Sequence, residues 1–270
     1  MYGKLQTRLL RLSVYSLTTL LFCIVVSRWY PPGAMTVLLP FETGSKLLAD
    51  GHVIDFADPH LLRCALVTIL APILWNIFCR CEHRTRFLTR FFGHKSTAHN
   101  FFALYIVCFS AYREHTFKEA LLSQPVLQLA DAHSNLISRL ISCVVGYGLF
   151  ILGAVISMSG FYRLSVRGTY MGEYFGFFFD DFVCAFPFNI FPDPMYLGST
   201  LMHFGKAVSR GNPAPWSPDF HQAVRWSPAG LVLSALLGWT YWVASKIFEE
   251  PFMYDAYAAY HTNKENRKTI

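Results

Sequence analysis

The sequence predicts an all-α, polytopic membrane bundle of about five to six crossings, and three observations carry that prediction. The first is charge: of 270 residues, 53% are hydrophobic and only 15% charged, against about 25% charged in soluble domains, so much of the surface must face lipid. The second is that apolar residues come in long runs, such as Leu136 to Met158, of the length a helix needs to cross about 30 Å of hydrocarbon. The third is that no stretches of alternating polar and apolar residues occur, which argues against a barrel. The net charge of +6 does not point to nucleic acid. Its lysines and arginines sit in short clusters flanking the apolar runs, as topology signals do, rather than along one face. The seven cysteines are odd in number and scattered, and Cys79-x-Cys81 is too tight for a metal site and has no second half, so neither a disulfide framework nor a bound metal is expected.

Taken in order, Lys4, Arg8 and Arg11 precede an apolar run from about Leu12 to Val26, followed by Trp29 and Tyr30 as interfacial anchors. No small-x-small cleavage site follows Val26, so the run reads as a first span or signal anchor. Residues 31 to 60 form a Pro/Gly-containing loop ending in Asp58-Pro59. Leu61 to Phe78 is the second span, with Pro72 inside it and Asn76 near its end, and the basic cluster from Arg80 to Arg90 follows directly. Phe101 to Ala111 is a shorter third run, starting as early as Ala98, and a polar segment from Arg113 to Ser134 separates it from Leu136 to Met158. Tyr196 to Val208 is short and half-apolar, residues 210 to 228 read as a Pro/Trp-rich loop, and Ala229 to Phe248 is a clear last span before a basic tail. Six crossings with a cytosolic N-terminus satisfy the positive-inside bias. They gather Glu82-His83, Asp193 to Gly198 and Glu249-Glu250 at the cytosolic face.

Several constellations at that face can carry chemistry. Two adjacent carboxylates, Glu249 and Glu250, sit at the exit of a membrane-grade apolar run, where a charge costs about 2.5–3.5 kcal/mol at mid-bilayer and so invites a functional reading; the bland one is the wet end of a helix. Gly168, Gly172 and Gly176 recur every four residues, one face of a helix, which suits close packing or close approach of a ligand. Glu173, set among Tyr170, Tyr174 and Phe175, is placed either to hold a cationic amine or to be solvated at the interface. Pro194 suits the first turn of a helix whose free amides can bind an anion.

Together these segments resemble one family. Phe186-Pro187-Phe188-Asn189-Ile190, Asp193-Pro194-Met195-Tyr196-x-Gly198-Ser199-Thr200, Glu249-Glu250-Pro251-Phe252 and Gly168-Thr169-Tyr170-x-Gly172-Glu173-Tyr174-Phe175-Gly176 look like the phosphatidylethanolamine and phospholipid N-methyltransferases. Asp58-Pro59, Pro72-x-x-Trp75-Asn76, Arg80-x-Glu82-His83-Arg84-Thr85-Arg86 and Leu121-Leu122-Ser123-Gln124-Pro125 fit the same pattern upstream. The match runs over about 58–260. It leaves 1–57 as an anchor and loop outside it and 261–270 as a cytosolic basic tail.

The resemblance implies an endoplasmic-reticulum membrane enzyme that moves methyl groups from S-adenosylmethionine to the amine of phosphatidylethanolamine or its mono- and dimethyl derivatives, with the donor site built by the C-terminal helical hairpin. Carried over residue by residue, it assigns donor binding to Glu249 and Glu250, and to Tyr196 and Gly198 through the Pro-x-Tyr-x-Gly segment shared with the isoprenylcysteine carboxyl methyltransferases. The family's Gly-x-Gly falls on Ile151 and Gly153, so Gly153 is carried over alone; Gly146-x-Gly148, one to two turns earlier, serves only with a shifted helix. Removing the proton from the ammonium substrate falls to Glu173 or His83, with Glu82 orienting the histidine; His203, outside the family motif, is either a third candidate or a packed polar residue. Arg84 and Arg86 either grip the lipid phosphate or fix topology. Two alternatives stay open: a carboxyl methyltransferase of the isoprenylcysteine type, whose anionic substrate needs no base, and a non-enzymatic lipid-binding or transport protein.

Overall fold

Residues 54–130, 136–180, 183–209 and 224–266 are described by the computed structural model; the expected first span at Leu12 to Val26 lies outside them. Seven helices order the described chain. These are α1 (Pro59–Thr85), α2 (Phe87–Phe92), α3 (Lys95–Ser123), α4 (Leu136–Thr169), α5 (Pro194–Ser209), α6 (Pro228–Val243) and α7 (Glu250–Asn266), with α6 and α7 joined through a π-helical segment, Ala244–Glu249. Among the described residues, three stretches are long and apolar enough to cross a membrane: Pro59–Thr85, Cys143–Phe175 and Pro228–Asn266. Leu62, Leu66, Ile73 and Ile77 on α1 and Val144, Ile151, Leu152 and Val155 on α4 lie exposed, as side chains do whose solvent is hydrocarbon. This is an all-α membrane protein.

The same grammar starts two of the long helices. Asp58 accepts from the His60 amide at 3.1 Å with Pro59 next in line, and Ser227 accepts from the Gly230 amide at 3.1 Å with Pro228 next in line. In each, a side-chain oxygen satisfies a free helix amide, and the proline has no amide to lose. Buried Asp58 also accepts from Ser123 at 2.5 Å and Gln124 at 2.9 Å, which ties the start of α1 to the end of α3. Burial alone would raise this carboxyl, but those two bonds outweigh it and hold it below its ordinary range.

α1 and α3 therefore run antiparallel, with Arg63 paired to Glu119 and Phe78 stacked on Phe102 at 5.2 Å. Two expectations change here. The third apolar run is the middle of a 29-residue helix, and the polar segment after Ala111 stays helical through Ser123 because its Arg113 and Thr116 turn inward. Beyond it, β1 (Leu127–Ala130) pairs antiparallel with β2 (Val224–Trp226), Leu127 opposite Trp226, where only loop was expected. The expected tail boundary at 260/261 also falls inside α7, which continues to Asn266.

α4 and α5 make the most intimate crossing, and glycine permits it. A Cβ on Gly153 would stand 2.4 Å from the Gly198 carbonyl oxygen, and one on Gly205 would stand 2.6 Å from the Gly146 carbonyl oxygen. Glycines seven residues apart on each helix thus oppose each other across an antiparallel seam, letting backbones touch as small residues do in membrane helix pairs. One hydrophobic cluster, including Trp75, Cys79, Phe102, Tyr174, Phe175 and Tyr241, fills the end where Glu249 emerges, and a second around Leu61, Phe117, Leu121 and Leu233 fills the opposite end.

Candidate functional site

At the first of those ends, Glu249 is held by three side chains from two helices. Its carboxylate accepts from Trp75 Nε1 and Asn76 Nδ2 on α1, both at 3.1 Å, and from the Tyr196 hydroxyl on α5, 2.9 Å from each oxygen. Asn76 also donates to the Pro72 carbonyl at 3.0 Å, and Tyr196 stacks on Tyr241 at 4.3 Å, so the donors are themselves fixed. Every one of these partners is neutral. The π segment sets the register: it turns Ser245 toward Asp193, Oγ to Oδ2 at 2.9 Å, while Glu249 faces α1 and α5. Single π turns of this kind recur at functional sites. Glu250 is instead paired with Lys246, which also lies 3.4 Å from Asp193.

Glu173 is buried in the same end of the bundle, close enough to Glu249 and Cys79 to interact with both electrostatically. The glycine repeat around it is not one helical face. α4 stops at Thr169, Met171 turns left-handed (φ 54°), Gly172–Phe175 form a 3-10 turn, and Gly176 turns left-handed again (φ 80°). A Cβ on Gly172 would stand 2.5 Å from the Arg167 carbonyl oxygen, so this glycine lets the chain fold back on the helix it has just left. The fold-back buries Tyr174, which stacks on Phe252 at 3.8 Å and 9°, and sets the Tyr170 carbonyl 3.0 Å from His99 Nε2.

The other expected residues part company. Glu82 is fully buried, but its carboxylate accepts from the Leu88 and Thr89 amides at 2.8 and 3.4 Å and from the Thr89 hydroxyl at 2.5 Å. That arrangement caps α2 and corrects the expectation that Glu82 orients His83. His83 is exposed and meets Phe252 edge-on at 4.9 Å. Arg86 donates to the Tyr174 carbonyl at 3.1 Å, whereas Arg84 is exposed. Gly146, Gly153 and Gly198 belong to the α4/α5 seam, where the space a side chain would need is filled by the facing helix, and Gly148 is exposed with nothing within 4 Å of a Cβ. The three seam glycines thus have a packing role. His203 lies in a separate buried cluster, 3.4 Å from Glu114, which Lys206 also pairs.

Trp75 and Asn76 were legible as a pattern but not as partners of Glu249, 174 and 173 positions away. The available signal was a polar amide near the end of an apolar span, costly there unless it is bonded. Beside the cluster, His83, Phe178, Phe252, Asp255, Tyr260 and Asn263 border a cleft of about 690 Å³.

The chain can now be set beside known proteins. A family model described as phospholipid methyltransferase matches residues 141–216. The chain is 37% identical over 205 residues to a phosphatidyl-N-methylethanolamine N-methyltransferase of Emericella nidulans, covering 76% of this chain and 89% of that one. It is 34% identical over 204 residues to the phosphatidylethanolamine N-methyltransferase of Homo sapiens, covering 76% and 91%. With a phosphatidyl-N-methylethanolamine N-methyltransferase of Saccharomyces cerevisiae it shares 33% identity over 215 residues, 80% and 93% of the two chains. No solved structure matches it. A chain that covers nearly the full length of such relatives at this identity is a member of the phospholipid methyltransferase family.

Proposed function

We propose that this chain N-methylates phosphatidylethanolamine, or its mono- and dimethyl derivatives, toward phosphatidylcholine, using S-adenosylmethionine at the cytosolic face of the endoplasmic reticulum membrane. The observation that carries this reading is the half-buried Glu249 carboxylate, whose hydrogen-bond donors among the described residues are all neutral, in the same end of the bundle as the buried carboxylate of Glu173. Such a site favours cations, and both reactants are cationic: the donor carries a sulfonium and an ammonium, the lipid an ammonium. The relatives' names support the substrate class, and the apolar faces of α1 and α4 support a lipid arriving from within the leaflet.

The donor supplies an already activated methyl group, so no covalent intermediate with the protein is needed. What this chain contributes is alignment and a proton acceptor. Glu249, with Tyr196 and Asn76 fixing its rotamer, and Glu250 would hold the donor's ammonium or ribose hydroxyls. Holding two reactants in near-attack geometry is worth up to about 7–11 kcal/mol of barrier. Glu173, a buried carboxylate in the same end of the bundle as Glu249, would take the proton from the lipid ammonium. His83, facing the cleft, is the less favoured acceptor, and Arg84 rather than Arg86 is left to meet the lipid phosphate. Residues 58–260 are the unit we assign to this activity.

The test is purified protein given labelled donor with each of the three amine lipids separately. Label in at least one methylated lipid is expected. Label in none, with transfer to a prenylated peptide carboxylate instead, would replace this reading with the carboxyl methyltransferase one.

A further inference from the structure

Among the described residues, one side of α7 faces a cleft rather than another helix. The helix buries no residue of its own, yet Phe252, Asp255, Ala259 and Asn263 recur at three- and four-residue steps, and with Tyr260 and Lys264 beside them they line the cleft of about 690 Å³ closed on its other side by His83 and Phe178. Aromatic rings are not normally left beside open space of that size. Two ring pairs border the cleft, Phe178 on Tyr260 at 4.8 Å and Phe252 on Tyr174 at 3.8 Å. The far end of α7 is anchored by Lys264 and the Tyr260 hydroxyl on Asp180, at 2.5 and 3.2 Å, so the cleft is framed at both ends.

We propose that this cleft receives the nucleoside end of the methyl donor, with Phe252 and Tyr260 packing on the base, Asp255 accepting the ribose hydroxyls and Asn263 meeting the base edge, which leaves the donor's ammonium, rather than its ribose, to Glu249. The inference rests on the donor reading above. Three features select this occupant. α7 follows the apolar span and carries polar residues on every turn, so the cleft opens where a water-soluble ligand arrives rather than one held by acyl chains. Flat aromatic walls with one carboxylate and one amide match a purine and its diol, a pairing that a lipid headgroup, with no ring, does not use, and the Lys264 ammonium at the same cleft is paired with Asp180. Phe252 is shared: it lines the cleft and stacks on Tyr174, next to Glu173, so a nucleoside bound here would extend toward the acid cluster.

Calorimetric titration of the full chain in lipid nanodiscs separates the two halves of the ligand. 5′-Methylthioadenosine carries the nucleoside without the amino-acid end, and S-adenosylhomocysteine carries both. Both should bind and compete; Asp255→Asn should weaken both at least five-fold with the melting temperature unchanged, since its side chain is exposed; Tyr260→Leu should weaken both at least five-fold at some cost in melting temperature, since it also gives up the Asp180 bond and the Phe178 stack; Glu249→Gln should weaken only S-adenosylhomocysteine. If 5′-methylthioadenosine fails to bind while S-adenosylhomocysteine binds, or if the α7 variants bind both like the parent, the cleft assignment is wrong and the proposed function stands. If the α7 variants change only the KM for lipid, the cleft belongs to the headgroup and the assignment is overturned. If Glu249→Gln leaves S-adenosylhomocysteine untouched while the α7 variants lose it, the acid-site reading falls and the cleft remains. Failure of S-adenosylhomocysteine to bind the parent chain removes both.

Discussion

Two carboxylates inside this bundle, Glu114 and Glu249, are treated in opposite ways. Glu114 is paired with Lys206 and lies 3.4 Å from His203, with the buried Arg113 next in sequence stacking over Tyr241 at 5.2 Å. Glu249 lies on the far side of the same Tyr241/Tyr196 stack and is held by an indole, an amide and a phenol. The first charge is matched from within, so the cluster joins α3 to α5 and asks nothing of a ligand. The second is oriented but not neutralised, and an oriented charge of one sign at the end of an apolar span is a place for a charge of the other sign. Burial alone does not separate these two acids; the chemistry of their partners does.

The sharpest way to break the comparison is Glu114→Gln. It leaves Lys206 buried without its counter-ion, and removing one partner of a buried pair costs about 3–5 kcal/mol, so the melting temperature in detergent should fall steeply while the surviving fold binds donor normally. Glu249→Gln should do the reverse: its neutral partners can bond an amide, so melting is unchanged, while donor affinity drops by about 1.5–3 kcal/mol, the worth of a hydrogen bond to a charged group, read by calorimetry. Equal effects of the two variants would erase the distinction.

The same contrast can be drawn in volume. Gly153→Val must push α5 away from a contact of 2.4 Å and should cost about 1–3 kcal/mol by overpacking. Gly148→Ala, with nothing within 4 Å, should change stability by less than about 0.5 kcal/mol. The effect at a third acid, Asp58, lies between those two in size. Its folded-state carboxyl is held below the ordinary range by Ser123 and Gln124 against the opposing effect of burial, so the folded protein binds this proton less readily than the unfolded one. The stability it contributes is present above the ordinary carboxylate range and is lost as pH falls through the depressed value. Asp58→Ala should therefore lower stability by about 1 kcal/mol at neutral pH, the worth of a helix cap, and flatten the acid limb of a melting-temperature profile.

What could be read ahead of the fold divides along a physical line. The apolar runs that became α1, α4 and α6 were legible because hydropathy is local, and Glu249-Glu250 stood out because charge at the exit of such a run is locally anomalous. The four-residue glycine spacing at Gly168, Gly172 and Gly176 misled because the same spacing serves a helical face and a pair of left-handed turns, and only the backbone at Met171 and Gly176 distinguishes them. The end of α3 was taken for a polar connection because Glu114 finds its counter-charge on Lys206, 92 positions later. The glycine seam went unseen for a similar reason, since Gly146 and Gly153 mean little until Gly205 and Gly198 lie opposite.

By itself, then, the sequence determined that this chain lives in a membrane, where most of its helices run and which acids stand at their ends, because each depends on the free energy of transferring nearby residues between water and hydrocarbon. Only the tertiary structure decided that Glu249 meets Trp75, Asn76 and Tyr196 while Glu114 meets Lys206. Which partner a buried charge finds is fixed by helix register and by one π turn, and both are set by packing across the whole bundle.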